Sequence, residues 1–130
     1  MLYVPGLNLS SLQFAGQANP GDNAVVAGYP LDAQSLHAVP ARIGGIQNAQ
    51  GPNIYQTATV TRQIYEIRAV VESGNSGGPL LSPDGRVYGV VFAAAVGVSN
   101  TGFALTAAQV APAAQAGGHA TTAVSTMGCD

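Results

Sequence analysis

Residues 72–80 read Glu72-Ser73-Gly74-Asn75-Ser76-Gly77-Gly78-Pro79-Leu80. The glycines around Ser76 provide backbone freedom and leave empty space beside its hydroxyl group. A serine that attacks a carbonyl carbon needs an exposed hydroxyl on a sharp turn, with backbone N–H groups that face the developing oxyanion. Residues 72–78, the Ser76 turn, therefore predict a nucleophile. The alternative for such a segment is a glycine-rich β-turn with an ordinary serine.

The segments on both sides of the Ser76 turn predict an all-β domain. Apolar and β-branched runs separated by turn residues predict six strands, over residues 24–29, 35–47, 53–65, 79–82, 86–96 and 103–105. Gly44-Gly45 marks a bend or bulge in the second strand, and Pro83-Asp84-Gly85 is a turn signal. This number and spacing of strands are typical of a small sandwich or barrel.

A short helix is predicted after the last strand. Thr106 is a good N-cap for a helix over residues 107–110, which Pro112 weakens and Gly117-Gly118 ends. The last dozen residues are expected to form a tail.

Composition excludes several classes of function. The 130 residues carry a net charge of −2 with only four Arg or Lys residues, so a surface that binds the phosphates of nucleic acid is not expected. Trp is absent and aromatic residues are few, which argues against a base-stacking platform. His, Cys, Asp and Glu form no cluster with metal-ligand spacing, so neither a metal site nor another cofactor is predicted.

The string from Gly74 to Leu80, followed by a turn and Val87-Tyr88-Gly89-Val90-Val91, resembles the trypsin-like serine proteases, most closely their bacterial HtrA-type branch. Residues 21–30 resemble the first strand of the second barrel in these enzymes, and residues 2–5 resemble the strand after the catalytic aspartate. The resemblance implies the second, C-terminal six-stranded antiparallel β-barrel of the chymotrypsin fold. It divides the chain into an inter-barrel connection (1–20), the barrel (21–110) and a tail (111–130).

The resemblance also implies roles for individual residues. Ser76 matches the nucleophile, and the N–H groups of Gly74 and Ser76 match the oxyanion hole. The segment that pairs with substrate and the specificity pocket map to seven apolar or small residues, namely Val70 at the pocket base and Phe92, Ala93, Ala94, Gly102, Phe103 and Ala104. None of these is charged, so an apolar substrate residue before the scissile bond (P1) is expected.

A catalytic triad also requires a histidine and an aspartate. His37 and His119 do not match the family's position, and the resemblance places both missing groups upstream, on an N-terminal barrel that is the expected partner. This chain alone is therefore expected to be inactive. Two alternatives remain open, a non-catalytic protease-like binding domain and a purely structural β-domain. Asn75 departs from the digestive enzymes, which place an aspartate there, so their activating salt bridge is not expected.

The similarity extends to the actinobacterial membrane-anchored periplasmic proteases linked to acid resistance. It implies an extracytoplasmic domain that acts on peptides or proteins and touches the membrane only through an anchor upstream of this chain. Cys129 is the single cysteine. It is either a free thiol or, as an extracytoplasmic location favours, half of a disulfide with a cysteine outside this chain.

Overall fold

The computed structural model describes residues 4–53 and 56–125. Stretches rich in Val, Ile and Ala form six β-strands. These are β1 (Asn23–Gly28), β2 (His37–Pro52), β3 (Thr59–Arg68), β4 (Pro79–Leu81), β5 (Val87–Ala94) and β6 (Thr101–Thr106). All strand pairings are antiparallel, and the strands close into a barrel in the order β1-β2-β3-β6-β5-β4. The predicted all-β class and six-stranded barrel are confirmed.

The barrel closes between its first and its shortest strand. β4 has only three residues, and it pairs with β1 through Val26 opposite Leu80 and Val25 opposite Leu81. Because β4 directly follows the Ser76 turn, this closure fixes one end of the turn to the barrel wall.

The inward side chains form one apolar core inside the barrel. Val26, Ile67, Leu80 and Val91 have no exposed surface, and Tyr65 and Ile43 are nearly as buried. They come from five different strands, so the core holds both sides of the closure together. Removing this apolar surface from water is the main stabilising contribution to such a barrel.

The bulge predicted at Gly44-Gly45 is confirmed by a register shift in the β2–β3 pairing between Ile43 and Gly45. The predicted start of the third strand is wrong, because β3 begins at Thr59 and not at residue 53. The side chain of Asn53 accepts a hydrogen bond from the N–H of Thr57 (3.0 Å) and donates one to its hydroxyl (3.0 Å). These bonds favour a turn over a strand, despite the alternating pattern.

Helix α1 (Ala107–His119) follows β6 and is longer than predicted. Thr106 is its N-cap, as predicted, and its hydroxyl accepts a hydrogen bond from the N–H of Gln109 (3.3 Å). The helix continues through Pro112, which lacks the N–H that would bond to the carbonyl of Ala108. Ala108 is exposed, so water can satisfy that carbonyl. The helix thus crosses residue 110, where the barrel was expected to end.

The segment before β1 is irregular and attached to the barrel at several points, including the bonds of Gly21 and Asp22 to the backbone of Ile43. Phe14 forms an isolated bridge to Val87, and the N–H of Ala18 donates to the hydroxyl of Tyr65 (2.9 Å). Within the described ranges, no helix is both long and apolar enough to cross a membrane. Cys129 lies outside the described residues, so its pairing stays a prediction.

Candidate active site

The Ser76 turn connects β3 to β4 and presents Ser76 at the surface. Gly74 (φ +98°) and Gly77 (φ +85°) both adopt left-handed backbone conformations that side chains disfavour. The chain therefore reverses direction sharply on each side of Ser76. The result is an exposed serine directly after a buried asparagine, Asn75, which is 1% exposed.

From Gly74 to Gly78, backbone hydrogen bonds leave two N–H groups free. The N–H groups of Asn75, Gly77 and Gly78 donate to the carbonyls of Glu72 (3.1 Å), Val91 (2.8 Å) and Asn75 (3.0 Å). Those of Gly74 and Ser76 donate to no acceptor among the described residues. Two free N–H groups beside an exposed hydroxyl can stabilise a negatively charged oxygen that forms on an attacked carbonyl.

The Ser76 hydroxyl makes one long hydrogen bond, from Oγ to the carbonyl oxygen of Phe92 (3.4 Å). No histidine in the described part of the chain hydrogen-bonds to Ser76. His37 is exposed at the start of β2, and His119 is exposed in the last turn of α1. The turn thus presents a hydroxyl group without a base to accept its proton.

The segment Gly28–Leu31 forms the floor beneath the Ser76 turn. The N–H of Leu31 donates to the carbonyl of Ser73 (2.7 Å), and Gly74 lies so close to the carbonyl of Tyr29 that no Cβ would fit there. Gly28 lies under Asn75, where an added Cβ would be only 2.7 Å from the asparagine Oδ1. The sequence analysis did not identify Gly28, because its role depends on a contact with a distant part of the chain.

Six of the seven predicted substrate-pairing and pocket residues lie side by side on β5 and β6, whereas Val70 lies between β3 and the Ser76 turn. Ala93 is opposite Phe103 and Ala94 is opposite Gly102, with a register shift between Val91 and Ala93. The rings of Phe92 and Phe103 are 6.4 Å apart between centroids. The shift falls at Phe92, whose carbonyl accepts the bond from Ser76.

Val71 adjoins this group, although the sequence analysis did not identify it. An added Cβ on Gly102 would be 2.6 Å from Cγ2 of Val71 and 3.1 Å from the carbonyl of Ala93. The Ser76 turn, β5 and β6 therefore meet at Gly102. The signal for Val71 was its position next to Val70, but nothing in the sequence indicates which of the two valines turns inward.

Val70 and Phe92 line separate surface cavities. Val70 is about half exposed and lines a cavity of about 560 Å³ together with Val39, Pro40, Arg68, Ala69, Ser99 and Asn100. Phe92 lines a cavity of about 470 Å³ against residues of β2, β3 and β6. The Val70 cavity is therefore lined by a charged residue that the sequence analysis did not place there, Arg68, whose exposed side chain has its Nε 3.9 Å from Oε1 of Glu66.

Two titrating groups with shifted pKa values lie in β5 and the turn before it. A hydrogen bond from the Ser82 hydroxyl lowers the pKa of Asp84 below its ordinary value. Burial raises the pKa of Tyr88 above its usual range. In the described ranges, His, Cys, Asp and Glu form no group of three or more that could hold a metal ion.

Comparisons with known proteins agree with this geometry. A family model described as "Trypsin-like peptidase domain" matches residues 1–90. The chain is 48% identical over 113 residues to the serine protease Rv3671c of Mycobacterium tuberculosis, covering 85% of this chain and 28% of that protein. It is 31% identical over 110 residues to a probable periplasmic serine endoprotease (DegP-like) of Chlamydia pneumoniae, covering 81% of this chain and 21% of the relative.

A solved structure gives the same result. The crystal structure of the Rv3671c protease in its active form superposes with a TM-score of 0.85 and 46% identity. The match covers 93% of this chain and 53% of the crystallised chain, so the chain spans about half of the solved protease. Together with the free N–H groups at an exposed serine, these matches show that the chain belongs to the trypsin-like peptidase family.

Proposed function

We propose that Ser76 is the nucleophile of a serine endopeptidase and that the N–H groups of Gly74 and Ser76 form its oxyanion hole. The observation that carries this proposal is the hydrogen-bond pattern of the turn. From Gly74 to Gly78, the N–H groups of residues 75, 77 and 78 are bonded to carbonyls, whereas those of Gly74 and Ser76, beside the exposed hydroxyl, are free. Serine proteases among the relatives support the reaction class.

The reaction proceeds through an acyl-enzyme. The Ser76 Oγ attacks the substrate carbonyl carbon while a histidine accepts its proton, and the resulting oxyanion accepts hydrogen bonds from the two free N–H groups. The histidine then protonates the leaving amine as the peptide bond breaks. Water, deprotonated by the same histidine, hydrolyses the ester and restores the hydroxyl group of Ser76.

The histidine and its orienting aspartate come from a preceding half of the protease that forms the N-terminal barrel. The chain spans 28% of the Mycobacterium tuberculosis relative and 53% of its crystallised protease, which leaves room for such a half. His37 and His119 do not bond to Ser76 in the described part of the chain. The alternative, a non-catalytic protease-like binding domain, would have no need for two unpaired N–H groups beside an exposed serine.

Substrate peptides pair with residues 92–94 of β5 and place an apolar P1 side chain beside Val70, Gly102, Phe103 and Ala104. Phe92 and Phe103 supply apolar surface near Ser76. Arg68 lines the cavity that contains Val70, so a substrate Lys or Arg would meet a like charge there.

The protease acts outside the cytoplasm, in the periplasm, and an anchor upstream of residue 1 holds it at the membrane. The Chlamydia pneumoniae relative, whose name describes it as probably periplasmic, supports the compartment. Acid stress as the setting, and a disulfide from Cys129 to the preceding half, complete the proposal.

The test uses the complete protease, this chain together with its preceding half. A sulfonyl fluoride is expected to add one covalent group, located on Ser76 by peptide mass mapping, and Ser76→Ala is expected to abolish both labelling and peptide hydrolysis. Ser10→Ala is the matched control, since Ser10 is also exposed but lies in the segment before β1, and it should leave labelling and hydrolysis unchanged. Labelling at another serine, or hydrolysis by Ser76→Ala, would refute the assignment.

Incubating the complete protease with a peptide library measures its preference for the P1 residue. Peptides cleaved by the wild-type protein and spared by Ser76→Ala are expected to carry apolar residues before the cleaved bond. Dominant cleavage after Lys or Arg would contradict the pocket assignment but leave Ser76 as the nucleophile.

A further inference from the structure

Two arginines lie opposite each other on the outside of the barrel. Arg42 of β2 and Arg68 of β3 are direct register partners, and both are exposed. The neighbouring Ile43 and Ile67 are buried in the core, so the alternation along each strand directs both arginines outward. Like charges directly opposite on antiparallel strands repel each other and weaken the pairing. Since the chain has only four Arg or Lys residues, stability of the barrel does not explain why two of them are paired here.

Neither guanidinium group has a close acidic partner in the described part of the chain. Nε of Arg68 is 3.9 Å from Oε1 of Glu66, which is too long for a hydrogen bond. Arg42 donates one long hydrogen bond (3.4 Å) from a terminal nitrogen to the neutral side chain of Asn23. A guanidinium group has five N–H donors, so most donors of both arginines remain available to an anion.

The arginine pair adjoins the Val70 cavity of about 560 Å³. Arg68 lines this cavity, and Arg42 lies two residues after Pro40, another lining residue, on the same face of β2. The remaining lining consists of apolar and neutral polar residues, namely Val39, Ala69, Val70, Ser99 and Asn100. No acidic residue lines the cavity, so it offers an anion a cation at its edge and no opposing charge inside.

A carboxylate is the anion that suits this pair best. Its two oxygens accept charge-assisted hydrogen bonds from guanidinium groups in a fixed geometry. Membranes are bound by larger basic clusters, of about four to eight Lys or Arg residues, and nucleic acids also require several cations. Two neighbouring cations on a chain with a net charge of −2 are too few for either. Polypeptides supply single carboxylates as Asp and Glu side chains.

We propose that Arg42 and Arg68 bind a carboxylate of an acidic stretch in the polypeptide substrate, with the adjoining part of that stretch in the Val70 cavity. The occupant is named as substrate on the basis of the proposed function, whereas the carboxylate site itself depends only on the two arginines. Binding here adds affinity for acidic polypeptides without contact between the arginines and the Ser76 hydroxyl group.

The test measures binding of a fluorescein-labelled hexaglutamate peptide to the complete protease carrying Ser76→Ala, so that binding is measured apart from hydrolysis. The hexaglutamine peptide is the neutral comparison and should bind more weakly. Arg42→Gln and Arg68→Gln are each expected to raise the Kd for hexaglutamate about three- to tenfold, because each removes a charge-assisted contact at an exposed site. Neither variant should have a lower melting temperature, since each removes one of two repelling charges.

Arg62→Gln is the matched control, because it removes the same charge from the same strand. Arg62 lies opposite Ala49 and therefore has no second cation across from it. Its effect on the Kd should stay below about twofold, as expected for a screened charge away from the site. Glu66→Gln removes the carboxylate nearest to Arg68 and is expected to lower the Kd about twofold.

The outcomes separate this inference from the proposed function. Equal binding of the two peptides, or equal effects of Arg62→Gln and Arg68→Gln, overturns the carboxylate site. Binding of phosphatidylserine vesicles through both arginines, without binding of hexaglutamate, also overturns it. If an arginine variant does not fold, tighter binding by Glu66→Gln supports the site and unchanged binding overturns it. Sulfonyl fluoride labelling of Ser76 in the Arg42→Gln and Arg68→Gln proteins reports the proposed function independently and should be unchanged.

Discussion

Gly78 connects the Ser76 turn to β4 at the point where the turn passes closest to β1. An added Cβ would be 2.5 Å from the carbonyl oxygen of Ala27 and 2.9 Å from that of Asn75. Both obstacles are backbone atoms, which cannot rotate away as a flexible side chain could. A glycine is thus required here by space. Gly74 is required both by space and by its left-handed conformation, and Gly77 by its left-handed conformation alone.

Gly78→Ala is expected to destabilise the barrel by about 1–3 kcal/mol, because β1 and the turn must separate to accommodate the methyl group. Urea denaturation measures this as a lower midpoint. Gly45→Ala is the matched control, since an added Cβ at Gly45 meets nothing within 4 Å, and its effect should stay within about 0.5 kcal/mol. Equal denaturation midpoints for the two variants would contradict the prediction, because they would show that β1 moves away from the added methyl group at little cost.

The sequence predicts this part of the site only in outline. The glycine string predicts an exposed Ser76 with free N–H groups at Gly74 and Ser76, because the backbone geometry of such a turn depends on residues close in sequence. The contact of Asn75 with Gly28 depends on how a distant strand packs under the turn. The same holds for Val71 against Gly102, so neither contact can be read from the chain.

At the scale of elements, the turn between β4 and β5 is built around Ser82 and Asp84. The Ser82 hydroxyl donates to the carboxylate of Asp84 and accepts a hydrogen bond from the N–H of Arg86 (3.0 Å). The N–H of Gly85 donates to the carbonyl of Ser82 (2.9 Å). The turn thereby fixes the start of β5, which carries the proposed substrate-pairing segment.

The lowered pKa of Asp84 makes this turn sensitive to acid. A carboxyl group whose pKa is lower in the folded chain stabilises it above the unfolded pKa of about 3.9, and this contribution disappears as pH falls through the folded value. Asp84→Asn is therefore expected to lower the melting temperature at pH 7 and to make little difference at pH 2. Asp32→Asn, in the exposed β1–β2 loop, is the control, and an equal effect of Asp84→Asn at both pH values would contradict the prediction.

Strands and helices were predictable where the hydrophobic periodicity of a segment agreed with the turn residues at its ends. β1 begins one residue earlier and ends one earlier than predicted, and β5 falls within the predicted run. The alternation of apolar and polar residues placed the start of β3 too early, because the side-chain hydrogen bonds of Asn53 favour a turn there more strongly than β propensity favours a strand. Pro112 did not end α1, because the helix buries Ala107 and Val110 and Ala108, whose carbonyl lacks a partner there, is exposed. The helix ends at His119, one residue after the predicted Gly117-Gly118.

At the scale of the molecule, large exposed apolar side chains occur in four regions of the described chain. They belong to the segment before β1, to residues 29–36, to the region from Val70 to Val98 and to the segment after α1, and include Leu9, Leu12, Tyr29, Leu31, Leu36, Phe92, Val96 and Val124. The second and third regions adjoin the Ser76 turn. The proposed N-terminal half would cover this apolar surface. The same half would bring a histidine to the exposed hydroxyl group of Ser76.

The isolated chain is therefore expected to hydrolyse no peptide at a measurable rate, since its described part offers Ser76 no base. Assays of the purified chain against peptides with apolar P1 residues measure this, with Ser76→Ala as the background. Turnover that disappears in Ser76→Ala would show that a group within this chain accepts the proton.

The short β4 strand has a consequence for the order of events during folding. Its pairing of Leu80 with Val26 joins residues far apart in the chain, and such long-range contacts form slowly because the intervening loop must close first. The turn that carries Ser76 is anchored by this same pairing. Until β4 closes the barrel against β1, the proposed nucleophile therefore lies on an unanchored turn, and the free N–H groups of Gly74 and Ser76 are not yet held in place.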